Sequence, residues 1–146
     1  MPNTSLSQYE IRQFIDEWFL KLDVHAPVDE MLALVADKEL VMKLPETMVR
    51  GHEGFRQWYS SVTKRFFDEA HFIKALRITP QEQTARVELV LLWECSTWDA
   101  PNAKSRRLGF YAAQIWELKR SPETQKPFIT TYNVDYFIPI AGSQEL

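Results

Sequence analysis

Few side chains in this chain ordinarily titrate near neutral pH. It has three histidines, His25, His52 and His71, and one cysteine, Cys95. Imidazole takes and gives a proton near neutral pH, which makes histidine the first candidate for acid–base chemistry. His71 begins a run with period-two alternation, so it reads as a residue at a strand start, near the mouth of any pocket that strand lines. It is a proton-transfer group or a strand-edge histidine without chemical work. Asp135, in Tyr132-Asn133-Val134-Asp135-Tyr136, is the carboxylate that could join it in a His71–Asp135 general-base dyad. Alternation opposes that pairing. If the apolar set Tyr132, Val134, Tyr136 and Ile138 faces inward, then Asn133 and Asp135 face solvent or a partner subunit.

Gln114 interrupts an apolar stripe, Leu108, Phe110, Ala112, Gln114, Trp116, Leu118, at alternate positions of one strand. A buried amide needs hydrogen-bond partners. It therefore orients a ligand or is satisfied within the core, and the two readings stand level. Trp18, Tyr59, Trp93, Phe110 and Trp116 can wall an apolar pocket, though the same rings also fill cores. Cys95, in Leu91-Leu92-Trp93-Glu94-Cys95, reads as a small buried hydrophobe, since no neighbouring base or cation activates it. His52 belongs to the start of a helix, and His25 lies in an inter-helix loop. No H-x-x-x-H spacing occurs, so no metal site is expected and no cofactor is implied.

The elements that must position these groups fall into two halves. Ser7 with Glu10 is a capping-box pattern, after a loose tail over 1–6. Ile11, Phe14, Ile15, Trp18, Phe19 and Leu22 then recur at helical spacing, and the helix should stop near Asp23 because Pro27 cannot continue it. Pro27 opens a second, shorter helix, with Val28, Met31, Leu32 and Val35 as its buried stripe. Residues 40–44 and 47–50 read as short strands around Pro45. A third helix is expected from about Glu53 to Phe67. From His71 the period changes to two, giving strands over 71–79, 84–98, 107–119 and 128–138. The run from Val87 to Trp93 is apolar on both faces, which marks a strand covered on both sides.

A chain of 146 residues is one ordinary domain by length, with a core of about 7–138. A net charge of −3 and scattered basic residues argue against a nucleic-acid partner. The one dense basic cluster, around Arg106 and Arg107, reads as a solvated hairpin turn. No apolar run is long enough to cross a membrane, the N-terminus lacks a signal-peptide pattern, and a lone cysteine suits the reducing cytoplasm.

The element order, together with Val49-Arg50-Gly51-His52-Glu53-Gly54-Phe55-Arg56, resembles the nuclear-transport-factor-2-like superfamily, closest to its polyketide-cyclase-like (SnoaL-like) branch. The signature R-G-x-E-x-hydrophobic-R is matched at Arg50, Gly51, Glu53, Phe55 and Arg56. The resemblance implies an α+β cone, in which a curved, mainly antiparallel sheet is wrapped by three helices around an interior pocket, usually in a homodimer. It implies isomerases, dehydratases, cyclases or non-catalytic subunits, so fold alone selects no activity. Isomerase-type members carry an Asp before the proline that ends the first strand. Here that residue is Leu44, which cannot accept a proton. Their oxyanion-stabilising acid falls at Gln114 by ungapped comparison.

The expectation is a pocket for an apolar or aromatic small molecule, either cofactor-free lyase, isomerase or cyclase chemistry or a non-catalytic binding or assembly subunit. In the catalytic case His71 or Asp135 moves the proton and Gln114 holds an oxygen. Val90, Leu92, Ile115 and Phe137 are expected to be covered by a second subunit.

Overall fold

The computed structural model describes residues 5–143. Helix α1 (Gln8–Asp23) starts at a complete capping box: Glu10 N–H donates to Ser7 Oγ at 3.1 Å, and the Ser7 N–H to Glu10 Oε1 at 3.3 Å. Residues 1–4 of the expected tail lie outside the described residues, but Leu6 is not loose. It is 2% exposed, in the position of a hydrophobic staple against Ile11. Helix α2 (Val28–Leu32) is a single turn set by Pro27. Val35, expected on that helix, instead bridges to Ile129.

Short strands β1 (Val41–Lys43) and β2 (Met48–Arg50) flank Pro45. Helix α3 (Gly51–Arg65) follows directly. Gly51 adopts φ +67°, where a side chain is strained. The next amide, His52 N–H, donates to Asp37 Oδ1 at 3.0 Å, so a distant loop caps the helix. The His52 ring contacts the Val35 carbonyl at 3.0 Å. The conspicuous local motif thus anchors the start of α3 to segment 35–37.

The second half is a meander of β3 (Phe67–Pro80), β4 (Thr84–Thr97), β5 (Arg106–Arg120) and β6 (Pro127–Pro139). Sheet order is β2-β1-β6-β5-β4-β3, with β1 parallel to β6 and every other pair antiparallel. The inner face of β4 carries Val87, Leu89, Leu91, Trp93 and Cys95, all buried, while Val90 and Leu92 are half-buried on the outer face. Helices α1 and α3 fill the concave side. Trp18 sits at its floor, with ring centroids 6.3 Å from Phe55, 6.1 Å from Trp116 and 5.6 Å from Tyr132.

Strict alternation fails in β6, for a definite reason. Leu118 pairs Ile129 while Glu117 pairs Thr131, and Gln114 pairs Val134 while Ala113 pairs Tyr136. Thr130 and Asp135 are therefore extra residues, and each such bulge exchanges the faces of everything beyond it. The inward set is Ile129, then Tyr132 and Val134, then Phe137. Tyr136 and Ile138, expected inward, are 40% and 53% exposed. Phe137, expected under a second subunit, turns toward the interior instead.

Candidate active site

The floor of the concave side is solid, but its open end is not. A cavity of about 90 Å³ lies between α1, α3 and the sheet, several times the roughly 10–15 Å³ that one water needs on this measure. Its apolar wall includes Leu22, Trp58, Val62, Phe66, Leu91, Trp93, Val134 and Phe137. Its polar wall includes His25, Glu46, Glu69, His71 and Gln114. Leu44 lines it too, so the position before Pro45 does face the pocket, with a hydrocarbon.

His71 is the centre of the polar wall. Its strand begins four residues earlier than the alternation suggested, at Phe67, and His71 pairs with Trp93 across the ladder. Its Nδ1 lies 2.6 Å from Asp23 Oδ1, and its backbone N–H reaches Asp23 Oδ2 at 3.4 Å. The two side chains are 10% and 24% exposed. The ring stacks on Phe19, centroids 4.9 Å apart, and runs nearly parallel to Trp93 at 6.2 Å. A carboxylate at Nδ1 fixes the tautomer with its hydrogen there, so the Nε2 lone pair is free to accept a proton. Among the described residues Nε2 has no protein partner.

That partner is not Asp135. Asp135 is the extra residue of the second β6 bulge and is exposed, so the His71–Asp135 dyad does not form. In the sequence Asp23 reads only as the end of a helix. A signal was there to read: a carboxylate in the last turn opposes the helix dipole, so another interaction must hold it.

Gln114 is 5% exposed and lines the cavity. Trp116 Nε1–H donates to its Oε1 at 2.9 Å. Indole nitrogen can only donate, which fixes the amide orientation: the NH₂ end is hydrogen-bonded to the Tyr132 hydroxyl, and its second hydrogen is left to donate. Of the aromatic candidates, Tyr59 and Trp93 line the cavity, whereas Trp18, Phe110 and Trp116 do not. Those three pack as buried core: Trp18 and Phe19 of α1 lie against Trp116, and Phe110 packs against Trp93 and Phe137. The Tyr59 hydroxyl donates to the Ala26 carbonyl at 2.6 Å, and burial pushes its pKa up to about 12. Burial likewise pushes the Cys95 thiol up to about 12, so it is no nucleophile at neutral pH. Among the described residues no three His, Cys, Asp or Glu side chains cluster as a metal site.

No family model and no curated protein matches the sequence. Solved structures do match in shape. A hexachlorocyclohexane dehydrochlorinase from Novosphingobium barchaimii aligns at TM-score 0.73 and 15% identity, over 95% of this chain and 93% of that one. A proposed scytalone dehydratase from Novosphingobium aromaticivorans aligns at TM-score 0.73 and 14% identity, over 93% and 94%. A nuclear transport factor 2-like superfamily protein from Salmonella enterica aligns at TM-score 0.70 and 16% identity, over 94% and 95%. With the α+β cone and its sheet order already established, these likenesses show that the chain has the nuclear-transport-factor-2-like fold.

Proposed function

We propose that the cavity binds a small, largely apolar or aromatic carbonyl compound and that His71 removes a proton from it, in an elimination or isomerisation. The observation that carries this reading is the Asp23–His71 pair opening onto an aromatic enclosure. Asp23 holds Nδ1–H and stabilises the imidazolium that forms, while Nε2 takes the proton. The Gln114 NH₂ group is the donor for the oxygen that gains charge as the carbon acid ionises. A base and an oxyanion donor are what such a proton transfer asks for, and side chains supply both. Two structural neighbours are named for a dehydrochlorinase and a dehydratase, which are eliminations, but at 14–15% identity they support the fold and not the activity. The inward-facing titratable groups favour catalysis over a non-catalytic binding or assembly subunit.

The outer sheet face supports a homodimer. One row across four strands reads Ile138, Tyr111, Leu92, Phe72, and the next reads Tyr136, Ala113, Val90, Ala75. Of these, Phe72, Tyr111, Tyr136 and Ile138 are 40–53% exposed. A contiguous apolar strip of this kind fits a self-complementary interface. The lone, buried Cys95 suits a reducing compartment such as the cytoplasm.

The test is hydrogen exchange at carbon. Small aryl ketones incubated with the protein in heavy water should gain deuterium next to the carbonyl, and His71→Gln should stop the gain. If His71→Gln exchanges as fast as wild type, His71 is not the base.

A further inference from the structure

A second histidine–carboxylate pair stands on the same cavity. His25 Nε2 is hydrogen-bonded to Glu69 Oε2, and Trp93 Nε1–H donates to Glu69 Oε1 at 3.0 Å. The Glu69 side chain is 10% exposed and that of His25 26%, and both line the cavity. Trp93, the cross-strand partner of His71, therefore also fixes Glu69. Glu69 and His71 lie two residues apart on β3, on the same wall.

The backbone under His25 is a separate observation. Ala26 N–H donates to the Lys21 carbonyl at 3.0 Å and His25 N–H to the Leu22 carbonyl at 3.2 Å. These two bonds form a Schellman motif, which ends α1 with His25 at the left-handed position, φ +52°. Glycine takes that position at no steric cost; histidine is among the few side chains that recur there, but still at some strain. A strained residue whose side chain is then tied to a cavity carboxylate is the pattern of a site kept for function.

We infer that the His25–Glu69 pair is the acid half of the site, and that the substrate class is a β-hydroxy carbonyl compound. The inference rests on the reading of His71 as base. The imidazolium of His25 keeps Nε2–H on Glu69 and has Nδ1–H to give. His71 Nε2 takes the proton next to the carbonyl, and that C–H electron pair becomes the new carbon–carbon π bond. The C–O bond breaks with its pair on oxygen, which receives the His25 proton and leaves as water. His71 ends protonated and His25 neutral, and exchange with solvent restores both. A halide would depart as an anion and make no use of the acid. Glu69 acts through His25 and is a positioning residue.

Two probes separate the halves: the aldol of acetone with benzaldehyde, and the β-chloro ketone of the same skeleton. Both give the same conjugated enone on elimination. His25→Gly is the informative variant, since it relieves the left-handed strain and should melt at or above the wild-type temperature. Turnover of the hydroxy ketone should fall by about 10²-fold or more, the usual scale of general acid catalysis, with the chloro ketone changed by less than about threefold. Glu69→Gln should shift the two rates in the same unequal way, and His71→Gln should lose both. If His25→Gly slows both probes equally, or neither, the pair is structural and the inference fails while the base survives. If wild type eliminates from neither probe, the reading of His71 fails, and this inference with it.

Discussion

The sharpest prediction concerns which substitution of Asp23 does more damage. Asp23→Ala removes a charge beside the imidazolium. A unit charge about 4 Å away at an effective dielectric of ~20 contributes ~4 kcal/mol. The carboxylate is 24% exposed, so solvent screening cuts that to ~2 kcal/mol, a loss of about 30-fold in rate. Asp23→Asn keeps the shape yet should be worse. The carboxylate accepts two hydrogen bonds, from the ring at 2.6 Å and from the His71 backbone at 3.4 Å. An amide can accept only one of them. The backbone N–H cannot become an acceptor, but an imidazole can change tautomer. The amide therefore turns its oxygen to the backbone and its NH₂ to Nδ1, and the ring hydrogen moves to Nε2. That removes the lone pair that does the work, a loss on the scale of general-base catalysis, about 10²–10⁴-fold. Isotope-edited NMR of the imidazole nitrogens reads the tautomer without any substrate, and elimination of the β-chloro ketone reads the rate. An Asn variant with hydrogen still on Nδ1, or one more active than Ala, would show that Asp23 does not set the His71 tautomer.

Gln114→Leu should weaken binding of a cavity ketone by about 0.5–1.5 kcal/mol, and by stranding the buried Trp116 N–H should also destabilise the fold by about 1–3 kcal/mol, measured by titration and denaturant unfolding. Glu10 bonds Arg120 at 2.9 Å, and that hydrogen bond, opposed by burial, holds the Glu10 carboxyl below its ordinary value of 4.5. A depressed folded-state pKa gives stability that is full above the unfolded value and lost as pH falls through the folded one. The gap in melting temperature between wild type and Glu10→Gln should therefore be full above pH 4.5 and close below it. Leu92→Glu, in the centre of the outer apolar row, should convert a dimer to a monomer in light scattering, and a wild-type monomer at micromolar concentration would remove the dimer.

Much of the fold is legible because pattern and period agree over long stretches. The α1 stripe Ile11, Phe14, Ile15, Trp18, Phe19 and Leu22 is the buried set of that helix, and the capping box places its start. Four strands are found near their expected bounds because prolines and polar turns bracket them. What alternation cannot reveal is a bulge. Nothing in Thr130 or Asp135 announces an extra residue, yet each reverses the faces beyond it. Tyr136, Phe137 and Ile138 are misplaced by one such step, and part of the expected interface goes with them, whereas Asp135 faces outward as alternation requires.

The site is harder to read because its groups come from segments that look like structure's leftovers. Gln114 is visible as a polar break in an apolar stripe, and His71 as a histidine in a strand. Their partners lie at the end of α1, where the sequence offers only a helix stop. Even there the residues disagree with their own backbone. Asp23 sets a negative charge at the negative end of a helix dipole, and His25 occupies a left-handed position that glycine fills with least strain. Fold stability alone would favour a basic residue at the first position and glycine at the second. Local choices that oppose the local fold are expected where a tertiary interaction outweighs them. Two such choices, two residues apart, each tied to a titratable partner on one β3 wall, support the proposed site at this helix end more strongly than any motif in the chain does.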